Sequence, residues 1–203
     1  MGQLQTLIDD GHITDPASAR GKLLDKSARL FSEKGYERTT VRDIANAVGI
    51  QSGSIFHHFK SKEEILKAVM TESIMLFTEK LRDAIESADT VEARLLACIQ
   101  SELDFTVGQD TVAAMSVLVS EWRCLSESHR PLIMEYRAQY EQLWMDVLTD
   151  AKASGLIEGD VFIARRLLAG AIHWTPNWYH SDGELTLGDL AQATFELACG
   201  GKA

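Results

Sequence analysis

The chain has 203 residues, of which 45% are hydrophobic, and a net charge of -10, so it can bury one good core or a core plus a small satellite domain. No stretch reaches the roughly 18 uninterrupted apolar residues of a membrane span, and the start MGQLQTLIDDGHITDPAS lacks the basic and apolar regions of a signal peptide, so the expected location is cytoplasmic, with no membrane partner. Cys98, Cys124 and Cys199 are odd in number, far apart and set in apolar segments, and no HExxH occurs. This argues against a disulfide framework and a metal site, and for three reduced core cysteines.

The charge is unevenly spread. Residues 20–62 hold nine Lys/Arg against four Asp/Glu, whereas residues 63–203 hold 11 against 23. A local polyanion-binding module attached to a body that repels polyanions accounts for that asymmetry. Only three prolines interrupt the chain, apolar residues recur at helical spacing, and no alternating β-branched run is bounded by turn residues. The expected fold class is all-α.

In chain order, residues 1–15 are polar and aperiodic and are expected to form a flexible N-terminal arm. Pro16 sits where a helix can begin; Leu23, Leu24, Ala28, Leu30 and Phe31 make one apolar stripe, and Gly35 stops it. Thr40-Val41-Arg42-Asp43 has the form of a capping box, and Val41, Ile44, Ala45 and Val48 follow at i, i+3, i+4 and i+7 before Gly49. A third short helix is expected from Ser52 to Phe59, burying Ile55 and Phe59. Ser61-x-x-Glu64 then opens a long helix carrying Ile65, Leu66, Val69, Met70, Ile74, Phe77 and Leu81. Five more helices are expected near 90–107, 110–126, 131–153, 160–179 and 186–199. The domain division that follows is an arm at 1–15, a three-helix module at 16–62, and a helical body at 63–203.

Two short helices joined by a tight turn at Gly49-Ile50-Gln51 have the dimensions of a helix-turn-helix, whose second helix enters the major groove. A helical hairpin without a ligand has the same spacing; the local positive charge favours double-stranded DNA. The run TTVRDIANAVGIQSGSIFHHFKSKEEIL also resembles the N-terminal signature of the TetR family of bacterial repressors. The resemblance implies phosphate or groove contacts at Thr40 and Arg42, and base or phosphate contacts at Gln51, Ser52, Ser54 and His57. It further implies close backbone approach at Gly53 and a phosphate contact at Lys62; Phe56, His58 and Lys60 complete the candidate set. Two departures bear on specificity. Phe56 stands where the family often has Tyr, so a phosphate-contacting hydroxyl is missing, and Gln51-Ser52 replaces a frequent Ser-Lys, offering Gln as a bidentate partner for adenine. His57 and His58 diverge by about 100° on a helix and cannot chelate a metal together.

The resemblance implies a homodimer built from the last two helices, which carry Leu167, Leu168, Ala169, Gly170, Ala171 and Ile172, then Leu187, Leu190, Ala191, Thr194, Phe195 and Ala198. The segment GAIHWTPNWYHSDGELTLGDLAQ is similar to the Gly-x-x-x-Trp-x-x-x-Trp-Tyr stretch of TetR regulators of fatty-acid, branched-chain or steroid breakdown, which respond to acyl-CoA thioesters. With EWRCLSESHRPLIMEYRAQY it makes Trp122, Arg123, Arg130, Arg137, Tyr140, Trp174 and Trp178 the ligand-binding candidates, the rings for an acyl group and the arginines for phosphates. An apolar or aromatic effector of another kind, and a helical interaction module without an effector, are the alternatives. GxSxG, phosphate-loop and dinucleotide motifs do not occur, so no catalytic residues and no cofactor are assigned, and the expected function is that of a ligand-responsive repressor rather than an enzyme.

Overall fold

A computed structural model of the chain describes residues 3–200. Among them the regular structure is entirely helical. The chain divides into two compact units, one holding residues up to Leu76 with Val112–Arg137, the other Phe77–Thr111 with the chain from Ala138 onward. The first unit is discontinuous because the segment Val112–Arg137, which begins 36 residues beyond Leu76, packs back on the N-terminal helices.

In the first unit, α1 (Gln3–Asp9) precedes α2 (Ala19–Lys34), α3 (Val41–Val48), α4 (Ser52–Ile55) and the start of α5 (Lys62–Glu86). The expected flexible arm is folded from Gln3 onward; Met1 and Gly2 lie outside the described residues. Ile13 is buried, and Thr14 donates through its N–H and its hydroxyl to the two oxygens of Glu72, at 2.8 and 3.0 Å. These contacts give the segment a tertiary anchor that its polar composition does not suggest. The Ser18 hydroxyl caps α2 by accepting from Gly21 N–H, and Leu23, Leu24, Ala28 and Phe31 are buried along one face. Helix α7 (Val112–Ser120) packs against α2, followed by a 3-10 turn at Trp122–Cys124 and the start of α8 (Arg130–Ala153).

In the second unit, α6 (Val91–Val107) packs against α9 (Val161–Trp174) and α10 (Leu187–Ala198). Thr90, Asp160 and Thr186 cap the three helices through their side chains. Burial of Leu95, Ile99, Leu103, Trp144 and Leu148, with the Phe77 and Phe105 rings stacked 4.5 Å apart, makes the core, each side chain contributing about 1.5–3 kcal/mol. Pro176 sits inside a 3-10 turn at Thr175–Asn177, so α9 ends at Trp174 rather than near 179. Cys98 and Cys199 are buried as expected, while Cys124 is only half-buried, its thiol 3.4 Å from a Glu121 carboxylate oxygen.

Candidate DNA-reading face and effector body

The turn between α3 and α4 is built by Gly49, whose φ of 80° lies in the left-handed region, and by Ile50 N–H donating to Ala45 C=O at 3.0 Å. At the other end of α3 the capping box is complete. Thr40 N–H and hydroxyl both donate to Asp43, whose own N–H donates to the Thr40 oxygen, and these bonds hold the Asp43 carboxyl below its ordinary range. Ile44, Ala45, Ile55 and Phe59 turn inward. Thr40, Arg42, Gln51, Gly53, Phe56, His57, His58 and Lys60 are exposed, and Ser52 and Ser54 half-buried.

Helix α4 is one turn shorter than expected. Past Ile55 the backbone tightens into i to i+3 bonds, with Phe56 N–H donating to Gly53 C=O at 3.2 Å and His57 N–H to Ser54 C=O at 3.3 Å. Gln51 occupies the cap position of α4 without making a side-chain cap bond, which leaves its amide for an external partner. Gly53 has the same character. Its φ is not positive, and a Cβ there would meet nothing within 4 Å, so neither the turn nor internal packing requires glycine. Glycine inside a helix costs roughly 0.5–1 kcal/mol relative to alanine, and no contact within the chain offsets it at Gly53. Gly53→Ala is therefore expected to raise the thermal midpoint by a few degrees and to weaken operator binding at least tenfold, checked by calorimetry and fluorescence anisotropy. Wild-type DNA affinity in this variant would remove Gly53 from the interface.

The Lys62 ammonium, expected on a phosphate, is turned inward. It donates to Tyr36 C=O at 2.8 Å and lies 4.1 Å from the centre of the Tyr36 ring, because a cation at the start of α5 finds an aromatic face and backbone carbonyls in the turn after α2. Burial, then the nearby Glu63 and Glu37 carboxylates, push the Tyr36 phenol up to about 12. The next residue, Glu63, accepts from Ser126 N–H at 2.8 Å and pairs with His129 Nδ1 at 2.7 Å. Bonding from Ser126, then from His129, lowers its carboxyl to about 2.

Arg20 braces the far end of α4 and was not singled out in the sequence. Its guanidinium donates to His58 C=O and to the Thr14 hydroxyl, both at 3.1 Å, reaches Glu72 at 3.6 Å and covers the Phe59 ring at 4.1 Å. The position of the reading turn thus depends on α1's following loop, α2 and α5 together.

The ligand candidates fall into two groups. In the first unit, Arg123 is exposed beside Trp122, its guanidinium 5.5 Å from the ring centre, and Arg130 Nη2 donates to Arg123 C=O at 2.7 Å while its buried Nε has no acceptor. Arg137 lies two turns further along α8. In the second unit, Trp174 and Trp178 are exposed, and Trp178 meets Tyr179 edge-on. Tyr140, expected as a ligand contact, is instead buried, its hydroxyl donating to Glu102 at 3.1 Å.

Glu102 is the centre of a charge cluster that sequence reading missed. Its carboxylate, fully buried on α6, is bonded by Arg165 at 3.1–3.2 Å, by His173 Nε2 at 3.0 Å and by Tyr140. Arg165 also donates to Glu141 at 3.0 Å, and Arg166 pairs with Glu141. Burial alone would push the Glu102 carboxyl up; His173 and Arg165 outweigh it and hold the group ionised, below its ordinary value. Beneath the Arg165 guanidinium, 4.4 Å from its ring centre, lies the buried Trp144.

The same unit has an apolar groove of about 360 Å³ lined by Leu148, Ile157, Ile163, Leu167, Leu168 and Leu197 among others. None of the seven expected ligand residues lines it. Among the described residues no group of three or more His, Cys, Asp or Glu side chains is arranged to hold a metal ion, and no helix is long and apolar enough to cross a membrane.

Residues 23–69 match the bacterial regulatory proteins of the tetR family, and residues 88–201 match the tetracyclin repressor-like C-terminal domain. Along most of its length the chain is similar to the HTH-type transcriptional repressor KstR2 of Rhodococcus jostii (strain RHA1), at 31% identity over 91% of each chain. Among solved structures it is similar to superantigen pfit, with 51% identity, 96% of each chain covered and a TM-score of 0.83. It also resembles AibR in complex with isovaleryl coenzyme A and operator DNA, with 25% identity, 89% of this chain and 97% of that one covered, and a TM-score of 0.79.

Proposed function

The chain belongs to the TetR family of bacterial DNA-binding transcriptional repressors, and from that premise we propose that it holds its operator as a cytoplasmic homodimer and leaves it when an acyl-CoA thioester binds its C-terminal domain. It is a regulator, not an enzyme. The observation that carries the effector class is the near full-length likeness to KstR2 and to AibR, the latter solved with an acyl-CoA and DNA together.

Chemistry in the chain supports this reading. CoA is a polyanion and the segment 63–203 is acidic overall, so binding needs a local cationic patch, and Arg123 with Arg130 supplies one beside the Trp122 ring. The acceptor-free Nε of Arg130 is a donor that a phosphate oxygen would satisfy. Trp174 and Trp178 offer exposed rings for an apolar group.

A panel of short-chain, long-chain and polycyclic acyl-CoAs is expected to include one that quenches or shifts Trp fluorescence and lowers operator affinity about 100-fold, a coupling of about 2.7 kcal/mol. Arg123→Ala with Arg130→Ala should weaken that response more than it weakens DNA binding. A panel that leaves both signals unchanged, while uncharged aromatic compounds release the DNA, would assign the effector to the other class.

The likeness to superantigen pfit supports a second reading, a superantigen role on the same scaffold. That role gives no reason for a glycine at 53 that serves no internal purpose, nor for Gln51 at an unused cap position. In vitro selection on randomised duplexes separates the two, since only the repressor role requires a sequence-selective site.

A further inference from the structure

We infer that Phe56 reads a thymine: its exposed ring makes van der Waals contact with the 5-methyl group of one thymine in each operator half-site. This rests on α3 and α4 being the DNA-reading pair.

The ring is 55% exposed although Ile55 and Phe59 on either side of it are buried, so the inner face of the reading turn is complete without it. The bond from Phe56 N–H to Gly53 C=O sets a 3-10 turn. In that geometry residues three apart share one side of the turn, and Gly53 adds no side chain to the side that Phe56 occupies. The space over Gly53 is open, with nothing within 4 Å of where a Cβ would be. Together they make an apolar shelf with a recess beside it, on the side of the turn away from Ile55.

What surrounds the shelf identifies its occupant. Gln51, His57, His58 and Lys60 are exposed nearby in the chain, and residues 20–62 carry nine Lys/Arg against four Asp/Glu. A polyanion is attracted there, and an apolar protein surface has no use for that charge. Phenylalanine has no hydroxyl, so it can bond neither a phosphate nor a base edge. In the major groove the apolar group displayed by the base pairs is the thymine methyl. An exposed ring pressed against that groove therefore gains only where a thymine stands, and is neutral or unfavourable at the other three bases.

The test uses the full-length protein and an operator obtained by in vitro selection. Each thymine is replaced singly by deoxyuridine, which removes the methyl and leaves every hydrogen-bonding group. Wild type is expected to lose about fourfold in affinity at one thymine per half-site, the worth of one buried methyl-sized group, and about 15-fold when both half-sites are changed. Phe56→Ala should bind more weakly and be indifferent to uracil at that position; Phe56→Leu should keep part of the discrimination. Unchanged thermal midpoints for both variants are expected from the exposure of the ring. A wild type indifferent to uracil everywhere, or a Phe56→Ala protein with the wild-type uracil penalty, overturns the inference while leaving the repressor reading intact. A selection that enriches no sequence overturns that reading and the inference with it.

Discussion

Replacing Arg165 by methionine is expected to cost about 3–5 kcal/mol of stability, which for a chain of this size lowers the thermal midpoint by roughly 6–20 °C. The loss comes from what is left behind. Glu102 is fully buried and keeps its charge only because Arg165, His173 and Tyr140 bond it from two other helices. Without the guanidinium, the carboxylate either stays charged in a medium that solvates it poorly or takes up a proton. Glu102→Met combined with Arg165→Met removes both charges and is expected to recover most of the loss, since buried pairs replaced by apolar side chains are often neutral or better. Urea and thermal unfolding at one fixed protein concentration measure both. A single variant that costs less than about 1 kcal/mol, or a double variant as unstable as the single, would show that the cluster does not hold these helices together. The pH dependence has a definite sign. The folded-state pKa of Glu102 lies below its unfolded value, so its contribution is present above the ordinary carboxylate range and is lost as pH falls through the folded value. Glu63, lowered to about 2, acts in the same direction. Acidification should therefore destabilise wild type more steeply than the double variant.

That cluster also marks where a sequence stops being readable. Glu102 lies in a helical stripe with Leu95, Cys98, Ile99, Leu103 and Thr106, and Arg165 shares a face with Leu168 and Ile172, all of them buried. The spacing alone therefore sets two opposite charges on apolar helix faces. That they meet across 63 residues is a tertiary fact with no local trace. Local signals were sufficient elsewhere. The capping box and Gly49 bound α3 at the expected residues, the Ser61 box marked the start of α5, and the apolar periods located α6, α8 and α10 to within a residue or two. Pro176 stopped α9 sooner than a kink would, because its ring and missing N–H convert the last turn to 3-10 form. The inward contact of Lys62 has as little local trace, its partner being the Tyr36 ring 26 residues earlier. The resemblance that makes Tyr140, Trp174 and Trp178 ligand candidates does not separate buried Tyr140 from the two exposed tryptophans. Periodicity assigns a side chain to a face of its own helix, but only the packed neighbours decide whether that face is core or surface.

Leu197→Arg is expected to yield a folded monomer that binds operator at least 100-fold more weakly than wild type. Leu197 is 82% exposed in the single chain and Leu167 69%, with Ile163 and Trp174 also exposed on α9. A contiguous apolar surface of this kind is unusual on a monomer and marks an interface. Gly170 adds a second indication. It lies mid-helix, its φ is not positive, and a Cβ there would meet nothing within 4 Å, so the chain's own packing has no need of glycine at that point. A second copy of α9 crossing closely over Gly170 would, and a self-complementary two-fold contact suits the homodimer proposed above. Arginine at 197 adds no strain within one chain, because the position is already open to solvent, but in the dimer it places an unpaired charge against leucine. Losing the second reading head removes the gain from simultaneous half-site binding, a factor of about 10²–10⁴. Sedimentation at micromolar concentration reports the assembly, and anisotropy on the full operator and on an isolated half-site reports the binding. The variant should bind the half-site as wild type does and the full operator no better than that. A Leu197→Arg protein that sediments as a dimer and holds the full operator with wild-type affinity would place the dimer contact on another surface.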